Sequence, residues 1–217
     1  MLRFMKVLAR WSVLPAVVVV AVGGAAVQSA LSQPPVGCRT AIAYRDNVPL
    51  EQQLGTWAWT LPWLELSYDE VETFTATGGN NKRAELIEAL AEADDDACEV
   101  DLYFFAHGAD YVSWIERAPQ VPRLRLVYDT GAGDARQGPR WMKAGASAFV
   151  GHGGDNFAPV FFAFFLPAWI TGSNVDDAIA SANRKTLAVL ERLGIDADGR
   201  LWRGTEAIGY GNLTRTR

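Results

Sequence analysis

The chain has 217 residues, with 20 Lys+Arg against 25 Asp+Glu, and holds only two histidines (His107, His152) and two cysteines (Cys38, Cys98). So few Cys and His exclude a zinc ribbon, an iron-sulfur scaffold and a multi-bridge disulfide framework. At 49 % apolar and 21 % charged, the composition is that of a globular domain and not of a disordered chain.

Residues 1–32 read as an export signal or an N-terminal membrane anchor. Arg3, Lys6 and Arg10 form a basic start, Trp11 to Val27 carries no charge, and Ala30-Leu31-Ser32 offers small side chains for cleavage before Gln33. Cleavage there takes the net charge from −5 to −8, because the leader holds three basic and no acidic residues. An acidic domain is a poor ligand for phosphate backbones, so nucleic acid is excluded as a partner. Export leaves membrane attachment open only through the N-terminal segment, and it places both cysteines where pairing is the default.

The remainder, 33–217, reads as one domain alternating strand and helix. Thr40 to Tyr44 is a short strand. Leu50, Leu54, Trp57 and Leu61 recur on one helical face, with Pro62 expected to stop the helix. Trp57 is expected in the core, and Trp59 and Trp63 share another face. Glu70 to Thr77 is β-rich and ends at Gly78-Gly79-Asn80. Asn81 to Ala93 follows as a helix with Leu86, Ile87, Leu90 and Ala91 on its inner side.

Three apolar strands come next: Val100 to Ala106, Leu124 to Tyr128 and Ala148 to Val150. Continuous apolar strands separated by helices indicate a mostly parallel sheet with helices on both faces, a three-layer α/β sandwich. Phe157 to Ile170 is apolar enough to suggest a membrane span but too short for one, so it is expected as a buried helix. Ser173-Asn174-Val175-Asp176 resembles a capping box for a helix that runs to Leu193 and closes at Gly194. Asp198-Gly199 is a hairpin signal.

Ligands of such sheets bind beyond the carboxyl ends of the strands. Three strand ends here are polar or glycine-bearing: Ala106-His107-Gly108, Tyr128-Asp129-Thr130-Gly131-Ala132-Gly133-Asp134, and Gly151-His152-Gly153-Gly154-Asp155-Asn156. Asp129, Gly131, His152 and Asn156 are the expected binding edge. No cofactor and no metal centre is expected. Capping of strand ends by the histidines is the plainer alternative.

An apolar strand ending in His107-Gly108, a second ending in a small-residue turn, then Trp141 to Gly151, Gly172 to Ala178 and Ala182-Asn183-Arg184 resemble the caspase-like fold of clan CD cysteine peptidases. The CHAT and gingipain branches are the most similar, over about Asp101 to Arg184, and Tyr210 to Thr214 is loosely similar to a gingipain strand. The resemblance implies that His107 would activate a cysteine at the end of the next strand. That cysteine is missing. A gapless register puts Tyr128 at the nucleophile position and a slipped one puts Ala132 there. Cys98 lies nine residues before His107, ~30 Å along a strand. The family's strand order makes the first and third strands neighbours, which implies a Cys38–Cys98 disulfide at their amino ends.

The expected function is therefore an exported, catalytically inactive peptidase homologue that binds a protein or peptide partner, or a ligand, at the former active-site edge. One alternative is an active hydrolase in which His107 works with Thr130, or in which His107, His152 and Asp129 hold a metal. The other is a structural envelope protein.

Overall fold

The computed structural model describes residues 39–46, 60–76, 82–95, 99–106, 110–118, 124–131, 133–154, 158–194 and 207–211. Six strands form one sheet: β1 (Arg39–Asp46), β2 (Glu70–Thr75), β3 (Glu99–Ala106), β4 (Leu124–Asp129), β5 (Ala148–His152) and β6 (Ala207–Tyr210), in the order β2-β1-β3-β4-β5-β6. All neighbours are parallel except β6, which runs antiparallel to β5. The expected neighbours β1 and β3 pair in register from Arg39↔Glu99 to Asp46↔Ala106.

Helices cover both faces. On one, Ala41, Ala43, Tyr103, Phe105, Leu126, Tyr128 and Val150 pack against Leu64 and the helices α4 (Ala158–Ile170) and α5 (Val175–Leu193). On the other, Ile42, Tyr44, Leu102, Phe104, Val127 and Phe149 pack against α1 (Arg83–Asp95), α2 (Val112–Ile115) and α3 (Gly138–Lys143). Alternate residues of each strand serve opposite layers, which is why β3 and β4 read as unbroken apolar runs. The Phe157 to Ile170 run is a buried helix from Ala158 onward, and among the described residues no helix is long and apolar enough to cross a membrane.

Several local expectations shift. Residues 60–65 are helical through Pro62, and the Leu66 N–H donates to the Pro62 carbonyl at 3.1 Å. A proline ring obstructs the turn before it while its carbonyl still accepts, and Pro62 is exposed, so the helix continues. In α1 the buried stripe is Leu86, Ala89, Leu90 and Ala93; Ile87 is half-buried and Ala91 faces solvent. The cap of α5 lies one residue later than expected: Asn174 accepts the Asp177 N–H at 2.7 Å and donates to the Asp177 carboxylate at 2.6 Å. Gly194, at φ 59°, closes the helix as expected. Trp63 is half-buried against the α4 layer, whereas Trp57, Trp59, Asp198 and Gly199 lie outside the described residues. So do Cys38 and Cys98, each one residue before the register pair Arg39↔Glu99.

The amino edge of the sheet holds a buried ion cluster. Asp101, fully buried on β3, accepts from Arg125 Nε at 2.8 Å and Arg125 Nη2 at 2.7 Å, from Trp169 Nε1 at 2.9 Å, and from the Tyr68 hydroxyl. Pairing moves from Val100↔Leu124 to Asp101↔Leu126, so Arg125 is the extra residue of a β-bulge, a device that re-aims a side chain. Its guanidinium lies 5.2 Å from the Trp169 ring centroid and also reaches Glu99 at 2.6 Å. Burial alone would raise the Asp101 carboxyl, but the adjacent Arg125 charge and the hydrogen bonds hold it below the ordinary range.

Candidate functional site

The opposite edge is where β1, β3, β4 and β5 end, at Asp46, Ala106, Asp129 and His152. The order places β2 on one side of β1 and β3 on the other, so the β1/β3 boundary is the topological switch point. Tyr111 covers that boundary. It stacks on Phe104 at 4.5 Å, meets Tyr44 at 5.6 Å, and its hydroxyl donates to Asp46 Oδ2 at 3.1 Å. Burial, with Asp46 next, pushes the Tyr111 phenol far above its ordinary value. Arg45 is buried at the same strand end, on the α4 side, and burial lowers its guanidinium to about 10.

Tyr128, matched to the nucleophile in the gapless register, is fully buried within the α4 layer. Its ring stacks on Phe165 at 5.6 Å and its hydroxyl lies 3.1 Å from His152 Nε2. Burial, and then the Asp129 charge, push this phenol well above 10. A phenol locked in the core is in no position to attack a substrate. His152 is likewise fully buried, edge-on to Phe161 at 5.1 Å, so it is a core histidine facing α4.

Asp129 points the other way. Strand alternation sets it on the same side as Val127, in the α1–α3 layer. His152 and Asp129 therefore occupy opposite faces of the sheet, and the alternative in which His107, His152 and Asp129 hold a metal loses its common centre. Among the described residues no cluster of three His, Cys, Asp or Glu side chains is placed to hold a metal ion.

Thr130 continues the β3/β4 ladder beyond its last paired residues. Its N–H donates to the Phe104 carbonyl at 3.0 Å, and its hydroxyl accepts the Ala106 N–H at 3.0 Å and donates to the Ala106 carbonyl at 3.2 Å. The hydroxyl is thus bonded to the backbone directly before His107. His107, Gly108, Ala132 and Asn156 lie outside the described residues.

After Thr130, Gly131 is buried and donates its N–H to Asp129 Oδ1 at 2.9 Å. Gly133, at φ 80°, turns the chain into a short 3₁₀ segment, Asp134–Gln137, a conformation that favours glycine. Burial first, and then the charge of Asp134, push Asp129 well above the ordinary carboxylate range; burial also raises Asp134, against the lowering effects of Asp129 and of the Gln137 hydrogen bond. Outside this turn, Arg140 holds Glu116 through two bonds of 2.8 and 2.7 Å and Asp110 at 2.7 Å, pinning the segment after His107-Gly108 to α3.

Sequence reasoning singled out Asp129 but missed Asp134, Tyr111 and Asp46 on this edge, and Asp101 and Arg125 on the other. The last two carried a signal: a lone charge inside an apolar strand is buried only when paired. No family model matches the sequence, and no curated protein matches it.

Proposed function

We propose that the chain is an exported caspase-like domain without a working peptidase nucleophile, and that it binds a protein or peptide partner at the carboxyl edge of its sheet. The observation that carries this reading is the burial of Tyr128 in the core with its hydroxyl against His152, at the position where the gapless register of the family resemblance requires a reactive group; the slipped register puts Ala132 there, which has no nucleophile. The β1–β3 pairing supports the family resemblance, which implies that the first and third strands are neighbours. The composition of the leader supports export.

A second reading keeps chemistry at the same edge. Thr130 Oγ1 bonds to the backbone of Ala106, the residue that precedes His107 in the sequence, and this favours a His107–Thr130 dyad. It would first have to release the hydroxyl proton from the Ala106 carbonyl.

Incubating the protein with a peptide library, with cysteine- and serine-directed probes and with or without chelator, separates the two readings. The binding reading predicts neither cleavage nor labelling. Cleavage that disappears in both His107→Ala and Thr130→Val would replace it with the hydrolase reading.

A further inference from the structure

The carboxyl edge holds a pair of acids that partner binding does not require. Asp129 is fully buried and Asp134 is 7 % exposed. One oxygen of each is satisfied: Asp129 Oδ1 by the Gly131 N–H at 2.9 Å, Asp134 Oδ1 by Gln137 Nε2 at 2.7 Å. The other oxygen of each, Oδ2 in both, is buried with no donor among the described residues. The short turn from β4 through Gly133 keeps both carboxyls in one desolvated region, where each shifts the titration of the other. Ionised carboxylates only accept, so two buried, unsatisfied carboxyl oxygens can satisfy each other only through a proton in between. With both ionised, like charges would sit together in a desolvated site, the arrangement that keeps one member of a carboxyl pair protonated.

We propose that Asp129 and Asp134 share a single proton, and that this proton pins the Asp134–Gln137 turn to the end of β4. Among the described residues the surroundings supply no substitute. Among the described residues neither carboxyl has an ion-pair partner. Arg136 in the turn is exposed, lowers Asp134 only as the last of its causes, and donates its Nε to the Gly133 carbonyl. Asp110, from the segment before α2, adds negative charge and is engaged by Arg140 from α3. Tyr111 feels Asp129 as a charge that keeps its own phenol protonated, and so does Tyr128 from the opposite face. Phe104, the register partner of Asp129 on β3, offers no polar group.

Both carboxyls are raised in the folded protein, so the native pair keeps its proton where the unfolded chain has lost it. The stabilisation is complete below the ordinary carboxyl range and is lost as pH rises through the raised value. One extra proton in the native state lowers the folding equilibrium constant by about tenfold per pH unit across that window. Deprotonation would loosen the turn at the edge where a partner is proposed to bind, so the inference extends that reading to its regulation. The proton itself is tested without any ligand.

Urea unfolding of the full chain is measured from about pH 4, the ordinary carboxyl range, up to about pH 8. Asp129→Asn keeps the Gly131 bond and puts a permanent N–H donor toward Asp134, so its stability should lack the falling component seen in the native sequence. Parallel pH profiles for the two proteins would overturn the proposal. If Asp129→Asn does not fold, infrared spectra of the native sequence decide. Labelling aspartate with ¹³C separates the pair from Glu72, which burial and the Glu70 and Glu92 charges also raise. A protonated aspartate stretch at neutral pH is expected, and its absence overturns the proposal.

Discussion

The two edges of the sheet each bury an aspartate, and they treat it in opposite ways. At the amino edge Asp101 meets a guanidinium, an indole N–H and a phenol, so both of its oxygens are satisfied and it stays ionised. At the carboxyl edge Asp129 meets one backbone N–H and a second acid, and it is pushed toward its neutral form. The amino-edge aspartate is settled by its neighbouring side chains. The other keeps unsatisfied groups beside a glycine turn, and local conflict of this kind gathers where a fold is used rather than merely held.

The contrast breaks most visibly at the amino edge. Arg125→Met leaves Asp101 buried without its cation and should cost about 3–5 kcal/mol by urea unfolding. Trp169→Phe keeps most of the packing but removes the indole donor to the carboxylate, and about 2 kcal/mol should be lost. At the carboxyl edge Thr130→Val strips the hydroxyl from the Ala106 backbone and should cost only about 1 kcal/mol. The solvent-facing triad is weaker still: Arg140→Gln should leave the unfolding midpoint unchanged within error, because exposed ion pairs are screened. Titration separates the edges by sign. The Asp101 contribution is complete above the ordinary carboxyl range and is lost as acid takes the pH through its depressed folded value, whereas the Asp129–Asp134 contribution declines as pH rises. A Cys38–Cys98 bridge would add a covalent tie to the amino edge, and two free thiols in the denatured, unreduced protein would remove it from the account.

Much of this architecture was legible in the sequence because it rests on period. The unbroken runs Val100 to Ala106 and Leu124 to Tyr128 became strands buried on both faces, and the Asn174 and Gly194 signals bounded α5 to within a residue. What stayed hidden depends on contacts that no period encodes. The bulge that turns Arg125 toward Asp101 exists only when β3 and β4 are paired. The meeting of Asp129 with Asp134 requires the left-handed turn at Gly133. His152 and Asp129 looked like companions on one edge, but which face of the sheet each occupies depends on strand phase, and strand phase set them apart.

Because the central contrast concerns protonation, it is tested most directly by following the side-chain carbonyl carbons of ¹³C-labelled aspartates through a pH titration of the folded protein. The account predicts that Asp101 remains an anion into acid below the ordinary carboxyl range, while the Asp129–Asp134 pair still carries one proton at neutral pH. Finding Asp129 and Asp134 both fully ionised at neutral pH, or Asp101 protonated there, would contradict it.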